Sequence, residues 1–342
     1  MSIAIEITRL NNAKAAIKSA IEAKGVEVPQ DAKIDIYAGY IAQIPQGGGT
    51  EYEPICFTSL EDGNTFSLNK EISISVDDKQ TWQTLAANTP SPVINTGEKI
   101  YFKATDNAQP FYGTTLDYYH FTTEKTCNVS GDPYALYAEI SGYYFYKLFS
   151  DSKIVDAGGI NLDGYILSNG CYISMFQGCT SLTTAPKLPA TTLATTCYQY
   201  MFQGCTSLTT APELPATTLQ AGCYQYMFSG CTSLTTAPEL PATNLADNCY
   251  QYMFQNCTSL TTAPELPAIT LKSYCYSNMF NGCTSLNYIK ALFTTAPSSS
   301  YTRSWVSGVS STGKFVKNKA ATWTLTGNNG IPTGWTVQVI SV

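Results

Sequence analysis

The chain has 342 residues and a formal net charge of -6, with 13% charged and 44% hydrophobic residues. That length has room for more than one domain, since a domain takes roughly 100 to 200 residues. The mildly acidic balance lacks the clustered Lys and Arg of a nucleic-acid-binding surface, and no run of about 18 apolar residues predicts a membrane span. We therefore expect neither nucleic acid nor a membrane as a partner, and no basic and apolar stretch at the start predicts a secretory leader.

Residues 1–45 predict a helical module for anchoring or assembly. Apolar residues recur there at steps of three and four, which is the spacing of an amphipathic helix. The residues of this apolar face, which we predict to be the assembly contact, are Ile3, Ile7, Leu10, Ile17 and Ile21. The glycine-rich residues 46–50 predict a flexible linker.

Residues 51–155 predict a small β-sandwich-like domain. Short runs alternate apolar and polar residues, such as I-S-I-S-V at 72–76 and K-I-Y-F-K-A at 99–104, and turn residues separate them. The last strand of this domain is expected to lead into the following segment through the aromatic run G-Y-Y-F-Y-K-L-F at 142–149.

An internal repeat of 26 residues begins at Cys171 and predicts a solenoid over residues 156–290. Its copies share the pattern C-Y-x-x-M-F-x-x-C-T-S-L, and most continue as T-T-A-P-[KE]-L-P-A. The cysteines that recur in this register are Cys171, Cys179, Cys197, Cys205, Cys223, Cys231, Cys249, Cys257, Cys275 and Cys283. Residues 291–342 depart from the pattern and predict a C-terminal cap with short strands.

Each repeat divides into a predicted helical half and a predicted extended half. Steps of four from Cys171 to Met175 and on to Cys179 rotate about 40° and about 80° around a helix, so these side chains share one buried face. Two prolines then end the helix and favour an extended path. The predicted fold class is therefore a multi-domain α+β protein with an N-terminal helical segment, a β-sandwich-like domain and a C-terminal solenoid.

The ten repeat cysteines are interpreted as a structural ladder of buried free thiols. Two cysteines eight residues apart in a helix are separated by about 12 Å, beyond the roughly 7 Å Cα distance that a disulfide tolerates. Bridges between neighbouring turns remain the alternative, although they need backbones closer than the usual 8 to 10 Å of packed helices. Zinc would need close Cys pairs or histidines, so we expect no metal and no cofactor. Cys56 and Cys127 lie outside the array and are free to pair.

Residues 171–286 resemble the BspA-type leucine-rich repeat proteins. The resemblance rests on M-F-Q-G-C-T-S-L at 201–208 and A-P-E-L-P at 211–215. It implies a non-enzymatic protein that binds host or bacterial surface molecules, as the secreted adhesins of this family do. The N-terminal segment is similar to the leading helix of phage tail and fibre proteins, which implies attachment to a larger assembly.

These resemblances favour a non-enzymatic structural or fibre protein of a bacteriophage virion, which lysis releases without a leader. Its expected partners are capsid or tail proteins at the N-terminal segment and a host surface glycan or protein at the solenoid. We expect a homo-oligomer, with a trimer seam at Ile3, Ile7 and Leu10. A bacterial cell-surface adhesin of the BspA type is the alternative, and an enzyme acting on surface glycans is a third hypothesis. His120 is the chain's only histidine and is interpreted as a packing or surface residue.

The most divergent positions of the repeats lie between the recurring Leu and the first Cys. Freedom to vary indicates exposure, so these residues form either unconstrained surface or a candidate recognition strip. The strip comprises Thr195, Thr196, Gln220, Asp247, Asn248, Lys272 and Tyr274. Two columns of tyrosines could stack on sugars if exposed, or could equally be packing residues: Tyr198, Tyr224, Tyr250 and Tyr276 in one, and Tyr200, Tyr226 and Tyr252 in the other. The periodic acids Glu213, Glu239 and Glu265 are interpreted as a solvated face.

Overall fold

The computed structural model describes residue 18 and residues 52–105, 111–113, 118–136, 140–142, 144–163 and 167–341. The chain divides into two units, Met1–Glu51 and Tyr52–Val342. The linker predicted at 46–50 and the assembly face predicted in the first unit lie outside the described residues. That face comprises Ile3, Ile7, Leu10, Ile17 and Ile21.

The first part of the second unit is rich in strands, as its alternating pattern indicates. Its elements are β1 (Ile55–Ser59), β2 (Phe66–Leu68), β3 (Ile72–Ser75), β4 (Gln83–Leu85), β5 (Lys99–Lys103), β6 (Phe111–Gly113), β7 (Phe121–Thr123), β8 (Cys127–Gly131), a 3-10 helix (Pro133–Leu136), β9 (Ile140–Gly142) and β10 (Ile154–Ile160). Six strands form one sheet in the order β10-β8-β1-β5-β3-β4, while β2 pairs with β7 and β6 with β9. All neighbours in the large sheet are antiparallel except β8 and β10.

Buried phenylalanines join the large sheet to the β2–β7 pair. Phe57 of β1 lies 4.9 Å from Phe66 of β2, and Phe102 of β5 lies 5.0 Å from Phe121 of β7, measured between ring centroids. Phe121 also stacks on Phe149 at 5.8 Å. This core continues without a break into the repeats, because all these rings belong to one hydrophobic cluster with the repeat Cys, Met and Tyr side chains.

The repeats are built from runs of consecutive turns instead of helices. These turn runs lie at 144–151, 169–178, 195–204, 221–230, 247–256, 273–282 and 299–308. Within a run, Met201 N donates to Tyr198 O and Gln203 N to Tyr200 O, both three residues back, as in a β-turn. Every fourth residue takes a left-handed backbone conformation, with φ of 53° at Thr196, 59° at Tyr200 and 75° at Gly204.

In every turn run except the last, at 299–308, the remaining amides bond to the next run along the solenoid. Tyr198 N donates to Cys223 O at 3.0 Å, Tyr200 N to Gln225 O at 3.0 Å and Gly204 N to Ser229 O at 2.8 Å. The amides of a turn run therefore alternate: one bonds to the next run, and the following one bonds three residues back within its own run. The bonds between runs stack the turn runs as a parallel ladder.

The predicted α+β class is therefore wrong, and so is the helical half of each repeat. Among residues 52–341, as far as the structure describes them, the elements are strands, turn runs and the single 3-10 helix, with no α-helix. A helix would consume its amides in bonds four residues back and would require negative φ at every residue. The turn runs meet neither condition. Every fourth residue has a positive φ, and every second amide bonds to the next run instead of four residues back.

The turn runs include segments on both sides of the motif-bearing repeats. The aromatic stretch at 142–149 leads into the solenoid through the first turn run, at residues 144–151, and Phe145 stacks on Tyr172 at 5.4 Å. Residues 291–342, predicted as a cap with short strands, contain the turn run at 299–308 and the strands β12 (Lys314–Asn318) and β13 (Thr336–Ile340). Together with β11 (Tyr288–Ala291) these strands form a parallel three-stranded sheet.

The extended half of the repeat is held by sparser pairing. Parallel bridges join Asp156 to Thr184, Thr210 to Thr236 and Thr262 to Tyr288. Each bridge precedes or follows a proline-containing segment whose prolines lack the amide that a continuous ladder needs. One side of every coil is thus a dense ladder of turns, and the other is an extended segment that touches its neighbours at single points.

Candidate recognition surfaces of the solenoid

The divergent positions that define the recognition strip lie side by side at the start of successive turn runs. Their backbones continue the ladder: Thr196 N donates to Ala221 O at 2.9 Å, Asn248 N to Ser273 O at 2.9 Å and Tyr274 N to Ser300 O at 2.6 Å. Neighbouring strip positions are therefore one strand spacing apart, about 4.8 Å.

Side chains of the recognition strip face outward while its backbone is fixed. Gln220, Asp247, Lys272 and Tyr274 are exposed, and Thr195, Thr196 and Asn248 are partly exposed. Asp247 Oδ1 accepts a hydrogen bond from Ser273 N at 3.1 Å, which orients this carboxylate along the solenoid. The strip thus combines hydroxyl, amide, carboxylate, ammonium and phenol groups on a rigid edge.

The structure buries all ten repeat cysteines and gives them no disulfide. The second cysteine of each repeat donates a hydrogen bond to a phenylalanine carbonyl of the preceding coil, for example Cys205 Sγ to Phe176 O and Cys231 Sγ to Phe202 O, both at 3.1 Å. Burial raises the pKa of these thiols, to about 12 at Cys231 and Cys283. They remain protonated and unreactive near neutral pH.

Cys56 and Cys127 are also free and buried. They lie on adjacent strands, but Cys56 of β1 pairs with Ser130 and Cys127 of β8 pairs with Ser59. Positions three residues apart along a strand point to opposite faces of the sheet. The register therefore separates these two thiols.

The two columns of tyrosines occupy different environments. Tyr198, Tyr224, Tyr250 and Tyr276 are almost completely buried and stack at about 5.9 Å inside the solenoid, so they cannot contact a ligand. Tyr200, Tyr226 and Tyr252 are only partly buried and stack at 4.8 and 4.3 Å on the outside of the turn runs. Because their faces cover one another, they offer mainly ring edges and hydroxyl groups to solvent.

A groove on the extended side was not predicted from the sequence. It has a volume of about 390 Å³ and lies between two proline-containing segments, with Pro238, Pro241, Pro264 and Pro267 as walls. Glu239 and Glu265 line it, and Glu265 forms an ion pair with Lys290 at 2.8 Å. The repeated P-E-L-P motif is the sequence signal, since a proline on each side of an acid holds that acid at the same place in every coil.

A second groove, of about 560 Å³, lies on the strand-rich region beside β5. The exposed side chains of Val76 and Val93 line it together with Asp78 and Tyr101, whose hydroxyl donates to Asp78 Oδ1 at 2.7 Å. The sequence carries no motif that would have marked this groove.

The single histidine is held by backbone contacts. His120 Nδ1 lies 2.8 Å from Lys147 O, and His120 N donates to Asn69 Oδ1 at 2.8 Å, so the residue ties β7 to the first turn run. Among the residues that the structure describes, no group of three His, Cys, Asp or Glu side chains is placed to hold a metal ion. No helix in the described part of the chain is long and apolar enough to cross a membrane.

Comparison with known families identifies the repeats. Residues 169–287 and 223–304 match the family model described as BspA type Leucine rich repeat region, in six copies. The repeat segment of the chain is therefore of the BspA leucine-rich type, and the match extends past residue 290 into the coil at 299–308. Comparisons with curated proteins and with solved structures found no match.

Proposed function

We propose that this chain is a non-enzymatic recognition protein whose solenoid binds a glycan or protein on a host surface. The observation that carries the proposal is the recognition strip, where variable, exposed side chains sit on an invariant backbone ladder. Repetition places chemically different groups at regular intervals, so several weak contacts can act together. The BspA type of the repeats supports a surface-binding role.

The test is adsorption of the purified chain to candidate host cells. A strip variant carrying Gln220→Ala, Asp247→Ala, Lys272→Ala and Tyr274→Ala should lose at least about tenfold in affinity, since each lost contact contributes of order 1 kcal/mol. All four positions are exposed, so folding is expected to be unaffected.

The matched control changes an equally exposed surface on the extended side. A variant with Lys187→Ala, Glu213→Ala and Glu239→Ala should bind like the natural chain. If this control loses binding and the strip variant keeps it, recognition belongs to the extended side of the solenoid and the strip assignment is wrong.

The finer proposal is that the protein is a structural or fibre component of a phage virion. It rests on the resemblance of the N-terminal segment to phage tail and fibre proteins, and its expected partners at residues 1–45 are capsid or tail proteins. Deletion of residues 1–45 should abolish incorporation into particles without changing adsorption by the purified solenoid. Retained incorporation of the deletion variant would contradict the virion role.

A BspA-type adhesin on the bacterial cell surface is the second candidate, favoured by the type of the repeats. Antibody labelling of the protein on intact, uninfected cells selects the adhesin, whereas labelling of phage particles alone selects the virion component. The non-enzymatic role has its own test. Incubation with capsular polysaccharide should produce no new reducing ends, and their appearance would indicate a glycan-cleaving enzyme.

A further inference from the structure

Strand β13, the last strand of the described residues, has part of its inward face exposed. In the parallel sheet, Ile289 of β11 pairs with Phe315 of β12, which pairs with Val337 of β13. Laterally paired residues point to the same face of a sheet. Ile289 and Phe315 are fully buried, yet Val337 is 47% exposed at the end of the same row.

A second row repeats this pattern. Ala291, Lys317 and Val339 are paired in register, with Ala291 and Lys317 buried and Val339 52% exposed. Solenoids usually close their ends with a polar capping unit, because the last coil otherwise exposes core positions. Here β13 presents core-type valines where such a cap would offer polar residues.

The opposite end of the repeat array is covered. Phe145 and Phe149 of the first turn run stack on Tyr172 and Phe176 at 5.4 and 5.2 Å. Phe149 packs in turn on Phe121 of the strand-rich region. The exposure of inward-facing apolar residues is therefore a property of the β13 end.

Within the described residues no strand pairs with the outer edge of β13, and this edge carries backbone groups in a defined order. Thr336 N donates to Gly313 O at 2.9 Å and Lys319 N donates to Ile340 O at 2.7 Å, so the even-numbered residues of β13 bond towards β12. Backbone groups of alternate residues point to opposite edges of a strand. The N–H and C=O groups of Val337 and Val339 consequently face away from β12, at the outer edge of the sheet.

We propose that β13 is a homodimer interface, in which two copies of this chain pair their β13 strands antiparallel about a two-fold axis at Gln338. In this register Val337 of one copy lies opposite Val339 of the other, and these residues exchange the backbone hydrogen bonds that their outer edge offers. The valines of both copies share one face and close both solenoid ends against each other, which is an isologous contact.

The side chains of β13 favour a second copy over an unrelated partner. The strand T-V-Q-V-I is uncharged, so two copies meet without repulsion. Gln338 meets its own equivalent at the axis, and amide-to-amide pairing of glutamines already occurs in the coils, between Gln177 and Gln203 at 2.5 Å and between Gln199 and Gln225 at 2.5 Å. The uncharged strand β13 and its Gln338 side chain can therefore each contact the same group of a second copy.

The experiment measures the mass of the full-length chain in solution by light scattering. The sequence predicts a separate oligomer seam at Ile3, Ile7 and Leu10, so natural and variant chains are compared at full length. Gln338→Lys places two like charges opposite each other and should halve the mass, and Gln338→Glu should do the same. Mixing the two variants should restore the natural mass, because opposite charges then meet at the axis.

The control Gln80→Lys adds the same charge at an exposed position of the strand-rich region and should leave the mass unchanged. A crosslink gives an independent readout. Opposed residues at this kind of position have Cα atoms about 4.5 Å apart, within disulfide range, so Gln338→Cys should form a disulfide-linked dimer on mild oxidation. The native thiols are all buried and do not compete. An unchanged mass for Gln338→Lys, or the absence of the Gln338→Cys crosslink, overturns the proposal.

Discussion

The turn runs and the extended segments of the solenoid share one repeat but are stabilised differently. In the turn runs, every second amide bonds to the next coil, and Phe202, Phe228 and Phe254 stack behind them at 5.7 Å. In the extended segments, coils meet at isolated bridges such as Thr210 with Thr236, and acids such as Glu239 face solvent. Stability is therefore concentrated on the turn side, whose rigid ladder fixes the recognition strip.

The largest expected effect is on stability at alkaline pH, because both thiol columns lie behind the turn runs. Burial raises the pKa of Cys231 and Cys283 from 9.0 to about 12, whereas the unfolded thiols ionise at about 9. The unfolded state therefore binds fewer protons between these values. The stabilisation is complete below about pH 9 and is lost as pH rises towards 12, at about 1.4 kcal/mol per pH unit for each thiol.

Urea unfolding at a series of pH values checks this expectation. Replacing Cys231 and Cys257 by Ala removes two titrating thiols and should make the alkaline decline shallower. A free energy of unfolding that stays constant from about pH 8 to about pH 11 would contradict the burial of the thiol ladder.

The next largest effect separates the two sides of one coil. Phe228→Ala removes a fully buried ring from the stack and should lower the free energy of unfolding by about 3 to 5 kcal/mol. Glu239→Ala, an exposed position on the extended side of the same coil, should change it by less than about 0.5 kcal/mol. Chemical denaturation measures the free energy of unfolding of both variants. Similar losses for the two variants would contradict the difference in stability between the two sides of the coil.

A smaller effect, a gain in the free energy of unfolding, is expected for a substitution at the start of a turn run. Thr196 is a β-branched residue with a φ of 53°, a conformation that costs such residues of order 1 kcal/mol. Thr196→Gly should therefore raise the free energy of unfolding by about 0.5 to 1 kcal/mol. Thermal unfolding provides the measurement, with Thr195→Gly as the neighbouring control, which should lose stability.

The solenoid and its inward face were predictable from the sequence, whereas the conformation of the turn side was not. Cys171, Met175 and Cys179 share a face both in a helix and in consecutive four-residue turns, so their spacing does not distinguish the two. The discriminating signal was the recurrence of Gly or Asn at a fixed place, as at Gly204, Gly230 and Asn256, where φ is positive. The α-helical interpretation gave those residues no role.

The stacked array extends beyond the coils that carry the repeat motif, for a physical reason. In the first turn run Phe145 and Phe149 take the places of Tyr172 and Phe176, but no cysteine accompanies them. In the run at 299–308 the buried Trp305 packs against Tyr276 and Phe280. Stacking depends on side-chain size and position, so both coils join the core without the motif that marks the others.

The candidate recognition strip followed from divergence among the repeats, but the proline-walled groove required coordinates. Variation at Gln220, Asp247 and Lys272 marked them as unconstrained, and the structure places them along one edge. Glu239 recurs in the repeated P-E-L-P motif, but a recurring acid lacks the variation that marked the strip. Its place in a groove depends on how adjacent proline segments pack across coils.

The stability of Gly204→Ala tests the stacked-turn backbone most directly. Gly204 has a φ of 75°, and a Cβ built there meets nothing closer than 3.8 Å, so only backbone strain opposes the substitution. Consecutive turns predict a loss of about 1 kcal/mol in the free energy of unfolding, since Ala resists the left-handed conformation. A gain of about 1 kcal/mol, as Gly to Ala gives inside an α-helix, would contradict the account.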